Sequence, residues 1–120
     1  MVTAISVAVG GALGSLARYG LAGMLNFRSH PWGTVTVNVI GSLILGVLLG
    51  TWGMRADGVV QTGLAIGLLG GFTTFSTFAF DTLFLWEHGD TTAAVLSVAV
   101  TLVFGIGAAV AGVAIGRSIS

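Results

Sequence analysis

The chain has 120 residues, of which 55% are hydrophobic and 7% charged, and its mean hydropathy is +1.05. Soluble domains carry roughly 25% charged residues, so this composition excludes an ordinary soluble domain. It also excludes a disordered chain, because a sequence this apolar cannot stay solvated. Four arginines balance four acidic residues, which leaves no basic surface for nucleic acid. The composition therefore predicts an integral membrane protein.

Four apolar stretches follow one another, each long enough to cross a bilayer as a helix of roughly 20 residues. They cover residues 2–25, 33–52, 59–86 and 91–115. The pattern predicts an all-α membrane protein with a single domain of four transmembrane helices joined by short polar connections. No Lys or Arg precedes the apolar core of the first stretch, so we interpret it as a structural span and not as a signal peptide.

The third stretch contains a segment that weakens a helix near its middle. Residues 70–78 read GGFTTFSTF, with adjacent glycines and a cluster of β-branched and hydroxyl residues. We therefore predict that the third helix is broken. A break at membrane depth frees backbone groups, and it is tolerated only where protein or a cavity satisfies them. Freed carbonyls can bind a hard cation, whereas freed amides or hydroxyls can bind an anion.

Polar residues inside the predicted spans form two helical stripes. Thr34, Asn38 and Ser42 are spaced four apart on the second span, and Ser97 and Thr101 are spaced likewise on the fourth. The Asn38 amide has two N–H donors that suit a desolvated anion. An interhelical hydrogen bond is the structural alternative for Asn38, and simple packing is the alternative for the fourth-span hydroxyls.

Phe75 and Phe78 are three residues apart and share a face if a helix resumes after the break. An aromatic ring has a positive edge, so two rings turned edge-on can contact an anion without offering it a full charge. Ordinary packing is the alternative for this pair.

The charges leave the orientation in the membrane open. With a cytoplasmic N-terminus, Arg55 and Arg117 lie on the cytoplasmic side, and Arg18 and Arg28 lie towards the other side. This even division follows either from chance in an Arg-poor chain or from dual topology, in which copies insert both ways and pair antiparallel. Arg18 is expected to snorkel to the interface or to cap a carbonyl-rich helix end. Asp81 is either an interfacial charge or a partner of Arg18.

Glycines spaced four apart mark two further helix faces. Gly63, Gly67 and Gly71 form such a row on the third span, and Gly46 and Gly50 form one on the second. Rows of small residues let helix backbones approach closely, so they predict a compact bundle.

Three stretches together resemble the Fluc/CrcB fluoride ion channel family: residues 10–19, residues 33–42, and residues 70–78 with their TTFSTF core. The resemblance covers essentially the whole chain. It implies an antiparallel dual-topology dimer with two pores, in which fluoride leaves the cell passively and its toxicity is reduced. It also implies a bacterial cytoplasmic membrane location, and it leaves open a homodimer or a heterodimer with a homologous subunit.

The resemblance also implies roles for individual residues. A structural Na⁺ shared by two subunits is held by backbone carbonyls that match those of Gly70 and Thr73. With the polar stripes included, the predicted pore residues are Asn38, Phe75, Phe78, Ser76, Thr77, Thr34, Ser42, Thr101 and Arg18. Family members often carry a tyrosine at the start of a polar track on the fourth span, whereas Tyr19 is the only tyrosine here. Either the track is shortened in this chain, or a difference in loop length displaces it.

Two other functions fit four short helices. A proton-coupled small multidrug antiporter also uses dual topology, but it relies on a carboxylate in the first span, and residues 1–25 contain no Asp or Glu. A non-transporting assembly subunit is the second, and its function would not depend on Phe75 or Asn38. No phosphate-binding loop or other enzymatic motif is visible, and cysteine is absent, so we do not predict an enzyme.

Overall fold

The computed structural model describes residues 1–26 and 30–120. Its elements are α1 (Val2–Leu25), α2 (Trp32–Thr51), α3 (Val59–Thr62), a π-helical segment (Gly63–Leu69), α4 (Gly70–Phe72), α5 (Phe75–Glu87) and α6 (Thr91–Ser118). The elements from α3 to α5 form one interrupted span. Within the described residues, four helices are therefore long and apolar enough to cross a membrane. The predicted all-α architecture is confirmed, and Arg28 lies outside the described residues.

The third span is broken at two threonines. Thr73 (φ −86°, ψ 160°) and Thr74 (φ −153°, ψ 123°) are extended, whereas Gly70 and Gly71 remain helical. Thr74 then caps α5, because its Oγ1 accepts the Thr77 N–H at 3.2 Å. The predicted break is confirmed, and it lies at the β-branched residues that follow the glycine pair.

α2 and α6 pack against each other through glycines on both helices. A methyl group added at Gly46 would meet the carbonyl oxygen of Ala109, and one added at Gly112 would meet that of Leu43. Further along, Gly50 lies against Val113, so residue numbers rise together on both helices and the pair is parallel. The backbones lie too close for any larger side chain at these contacts.

α1 and the third span form the second parallel pair. Gly67 lies against Val7 and Gly10, and Gly71 lies against Gly11. The π-helical turn between α3 and α4 was not predicted from the sequence, because the i, i+4 spacing of its glycines equally suits an α-helix. It ends at Leu69, directly before the glycine pair, and contains Gly63 and Gly67, which pack on α1.

Candidate ion site at the break in the third span

The break borders a cavity of about 350 Å³ between α2, the third span and α6. The structure brings most of the predicted site residues to this cavity, namely Asn38, Ser42, Gly70, Thr73, Phe75, Phe78 and Thr101. They come from three different spans, so the fold, and not proximity in sequence, assembles them.

The Asn38 side chain bridges the break. Its Nδ2 donates to the Thr74 carbonyl at 2.9 Å, and its Oδ1 accepts the Thr74 N–H at 2.8 Å. The amide therefore replaces the helical partners that the extended Thr74 peptide has lost. Only one of its two N–H donors remains for another ligand, whereas the sequence alone suggested two. Ser42, one turn later, donates back to the Asn38 carbonyl at 2.7 Å.

The carbonyl groups around the break divide into two sets. The Leu69 carbonyl accepts both the N–H and the hydroxyl of Thr73, and the Gly71 carbonyl accepts Nε of Arg18 at 3.1 Å. Within residues 1–26 and 30–120, by contrast, no donor reaches the carbonyls of Gly70 and Thr73, and both residues line the cavity. The carbonyl oxygens of Gly70 and Thr73 are therefore free acceptors of the kind that hard cations prefer.

Phe75 and Phe78 line the same cavity. The rings of Phe75 and Phe78 have centroids 5.8 Å apart and are tilted by 57°. Phe78 is 9% exposed, whereas Phe75 is 78% exposed in the single chain. One ring is thus fixed in the bundle, and the other projects from it beside the cavity.

The fourth-span stripe contributes an unused donor. The Thr101 hydroxyl is buried and lines the cavity, and none of the described residues hydrogen-bonds to it. The Ser97 hydroxyl is likewise without a partner there, but it lines a separate cavity of about 60 Å³ next to Trp32. The structure therefore does not bring the two members of the stripe to one site.

A second cavity, of about 460 Å³, lies beside α1 and contains three more of the predicted residues, Arg18, Thr34 and Thr77. Tyr19 and Asn26 also line it, and sequence reasoning assigned neither of them to the site. Their position at the polar end of the first span was the available signal. Ser76 lines neither cavity, and its hydroxyl lies 3.3 Å from that of Thr74.

Thr34 and Asp81 form a hydrogen bond between α2 and α5 that the sequence did not indicate. The Thr34 hydroxyl, in a residue that is 2% exposed, donates to Oδ2 of Asp81 at 2.7 Å. Arg18 instead caps the end of α4 through Gly71, so the structure does not support the alternative of an Arg18–Asp81 pair. The described part of the chain also holds no cluster of three acidic or histidine side chains for a metal.

Removing the hydrogen bond between Thr34 and Asp81 is expected to destabilise the bundle. Thr34→Val keeps the shape of the side chain but leaves the half-buried Asp81 carboxyl without its donor, which costs roughly 1–3 kcal/mol. The midpoint of thermal unfolding in detergent should fall by several degrees. Thr82→Val is the matched control, because the Thr82 hydroxyl only bonds back to the Phe78 carbonyl of its own helix. Equal melting temperatures for the two variants would contradict this role for Thr34.

The fold and the site define a small multi-pass integral membrane protein with cavities at a broken helix. Residues 5–113 match the family described as CrcB-like protein, Camphor Resistance (CrcB). The chain belongs to this family, as the sequence predicted.

Curated relatives agree over nearly the full length. The chain is 44% identical to a fluoride-specific ion channel FluC of Paracoccus denitrificans, covering 98% of this chain and 96% of the relative. It is 47% identical to a protein of the same name in Geobacter sulfurreducens, covering 82% and 83%. A third, in Agrobacterium fabrum, is 38% identical with 99% of each chain covered.

Proposed function

We propose that the protein is a fluoride channel that lets the ion leave the bacterial cytoplasm passively and thereby lowers its toxicity. The observation that carries this proposal is the cavity at the break, where neutral donors from three spans converge. They are the second N–H of Asn38, the hydroxyl of Thr101 and the rings of Phe75 and Phe78, whose positive edges we propose to face the ion. The names of the curated relatives support fluoride as the ion.

Neutral donors suit this ion for a physical reason. Fluoride is small and strongly hydrated, so a pore has to replace its water shell without holding the ion too tightly to release it. The spans contain no lysine, and the Arg18 guanidinium is partly engaged by the Gly71 carbonyl. Arg18, Thr34 and Thr77 line the second cavity, which we propose as the mouth of the pathway. Ser76 and Ser42 complete the proposed set as hydroxyls near the break.

The proposed functional unit is an antiparallel dimer with two pores. A single chain leaves Phe75 78% exposed beside the cavity, so a second copy is needed to enclose the path. The even division of the arginines between the two sides is consistent with insertion in both directions. The partner is either an identical copy or a homologous subunit.

The Gly70 and Thr73 carbonyls fit the proposed structural Na⁺. They are hard oxygen acceptors, they line the cavity, and no donor from the described residues occupies them. A cation shared by two subunits would supply a fixed positive charge that neutralises these dipoles and holds the two breaks in place.

The decisive experiment is ion efflux from liposomes that contain this polypeptide alone. We expect the purified protein to discharge a fluoride gradient and to leave a chloride gradient standing, with empty liposomes as the control. Flux of both ions, or of neither with or without a homologous second subunit, would contradict the proposal. Fluoride flux that appears only when a second, homologous subunit is added would support the channel and identify it as a heterodimer.

A further inference from the structure

The Asn38 amide has two sides with different surroundings. On one side, an N–H donates to the Thr74 carbonyl at 2.9 Å, and the amide oxygen accepts the Thr74 N–H at 2.8 Å. The other N–H has no partner among residues 1–26 and 30–120, and Asn38 lines the cavity that also contains Phe75 and Phe78. The same side chain thus holds the backbone of the break and faces the proposed fluoride path.

The N–H of Thr74 lies in the same peptide unit as the Thr73 carbonyl, which is one of the two free carbonyls at the break. The Thr73 carbonyl and the Thr74 N–H belong to the same planar peptide unit, so a bond that orients the N–H also orients the carbonyl. Asn38 accepts that N–H at 2.8 Å. The direction of the Thr73 oxygen, one of the two oxygens proposed to hold Na⁺, is therefore fixed from the opposite end of its own peptide by Asn38.

We propose that Asn38 is a positioning residue for the Na⁺ site and couples that site to the fluoride path. This inference rests on the proposed function. Its arrangement matches the general rule that the partners which orient metal ligands contribute strongly to metal affinity. The rest of the break does not provide the same control, because the Arg18 contact reaches the Gly71 carbonyl, which is not in the free set.

The test is the stabilisation of the protein by Na⁺, measured without any transport. The unfolding temperature of the detergent-solubilised protein is followed as Na⁺ replaces N-methyl-D-glucamine at constant ionic strength. Asn38→Leu, which has a similar shape but no hydrogen bonds, is expected to raise the Na⁺ concentration for half-maximal stabilisation by about 10- to 100-fold. A purely structural role would lower the unfolding temperature equally with and without Na⁺ and would leave that concentration unchanged.

Two further variants separate the possible outcomes. Phe75→Ile is expected to lose fluoride efflux but to keep the wild-type response to Na⁺, because the Phe75 side chain takes no part in the hydrogen bonds that hold the break. Thr51→Val, near the far end of α2, should keep both, since its hydroxyl mainly bonds back to Val47 at 2.9 Å. If Asn38→Leu does not fold, the smaller Asn38→Ser should raise the same half-maximal Na⁺ concentration by about 10-fold or more.

The inference is overturned if a folded Asn38 variant responds to Na⁺ as the wild type does, even though its fluoride efflux is lost. It is also overturned if the wild-type protein is not stabilised by Na⁺ at all. Either result leaves the proposed fluoride channel standing, since that proposal is tested separately by the fluoride and chloride efflux of the wild-type protein.

Discussion

Phe75→Ile is expected to reduce fluoride efflux from proteoliposomes by about 10- to 100-fold. Phe75 lines the cavity at the break, and its ring lies tilted against that of Phe78 with 5.8 Å between centroids. Isoleucine is apolar and fills much of the same space, but it has no positive ring edge to face an anion. The loss therefore reports on the contact to the ion and not on hydrophobic packing. Fluoride release measured with an ion-selective electrode gives the rate directly.

Phe80→Ile is the matched control for this measurement. Phe80 lies on the same helix and is 65% exposed, close to the 78% of Phe75, but it lines none of the cavities described above. Its substitution should leave the efflux rate within about twofold of the wild type, as surface changes away from special features usually do. If both variants slow efflux equally, the phenylalanine pair is not part of the path.

Gly112→Ala is expected to destabilise the bundle strongly for so small a change. The added methyl group would meet the Leu43 carbonyl oxygen and would lie 3.0 Å from the Cα of Gly46, so the α2 and α6 backbones have to move apart. Forcing extra volume into a packed contact costs roughly 1–3 kcal/mol. The unfolding temperature in detergent should fall below that of the wild type.

Gly107→Ala, in the same helix, is expected not to destabilise the bundle. Apart from its chain neighbours and the nearby backbone of its own helix, no atom of residues 1–26 and 30–120 lies within 4 Å of a methyl group added there. Alanine favours a helix over glycine by roughly 1 kcal/mol, so this variant should be as stable as the wild type or slightly more stable. A melting temperature for Gly112→Ala that equals that of Gly107→Ala would show that the α2–α6 contact is looser than described.

Composition and hydropathy were sufficient to predict the membrane class, the four spans and the break, because these depend on local properties. A helix that crosses a bilayer has to satisfy its backbone internally and present apolar side chains to lipid, and both demands are visible residue by residue. The break is likewise local, because the β-branched and hydroxyl residues of the TTFSTF segment weaken a helix. The break lies at Thr73 and Thr74 because stiff β-branched residues and an N-cap hydroxyl coincide there.

The partners of the polar residues could not be deduced in this way. Spacing placed Thr34, Asn38 and Ser42 on one face of α2, but the structure gives them three different partners: Asp81, the Thr74 peptide and the Asn38 carbonyl. The Ser42 bond is local to α2, but the other two join residues 36 and 47 positions apart, so they depend on how the helices pack and not on local sequence.

The sequence by itself determined that this is a four-span membrane protein of the CrcB family, with glycine rows that allow close packing and a weak point in the third span. Only the tertiary structure decided that Arg18 caps Gly71 and that Asn38 bridges the break with one donor left over. It also decided which carbonyls remain free. The physical reason is that the free energy of a polar group inside a membrane depends on whether a donor and an acceptor from different helices meet, and only the packed bundle sets that distance.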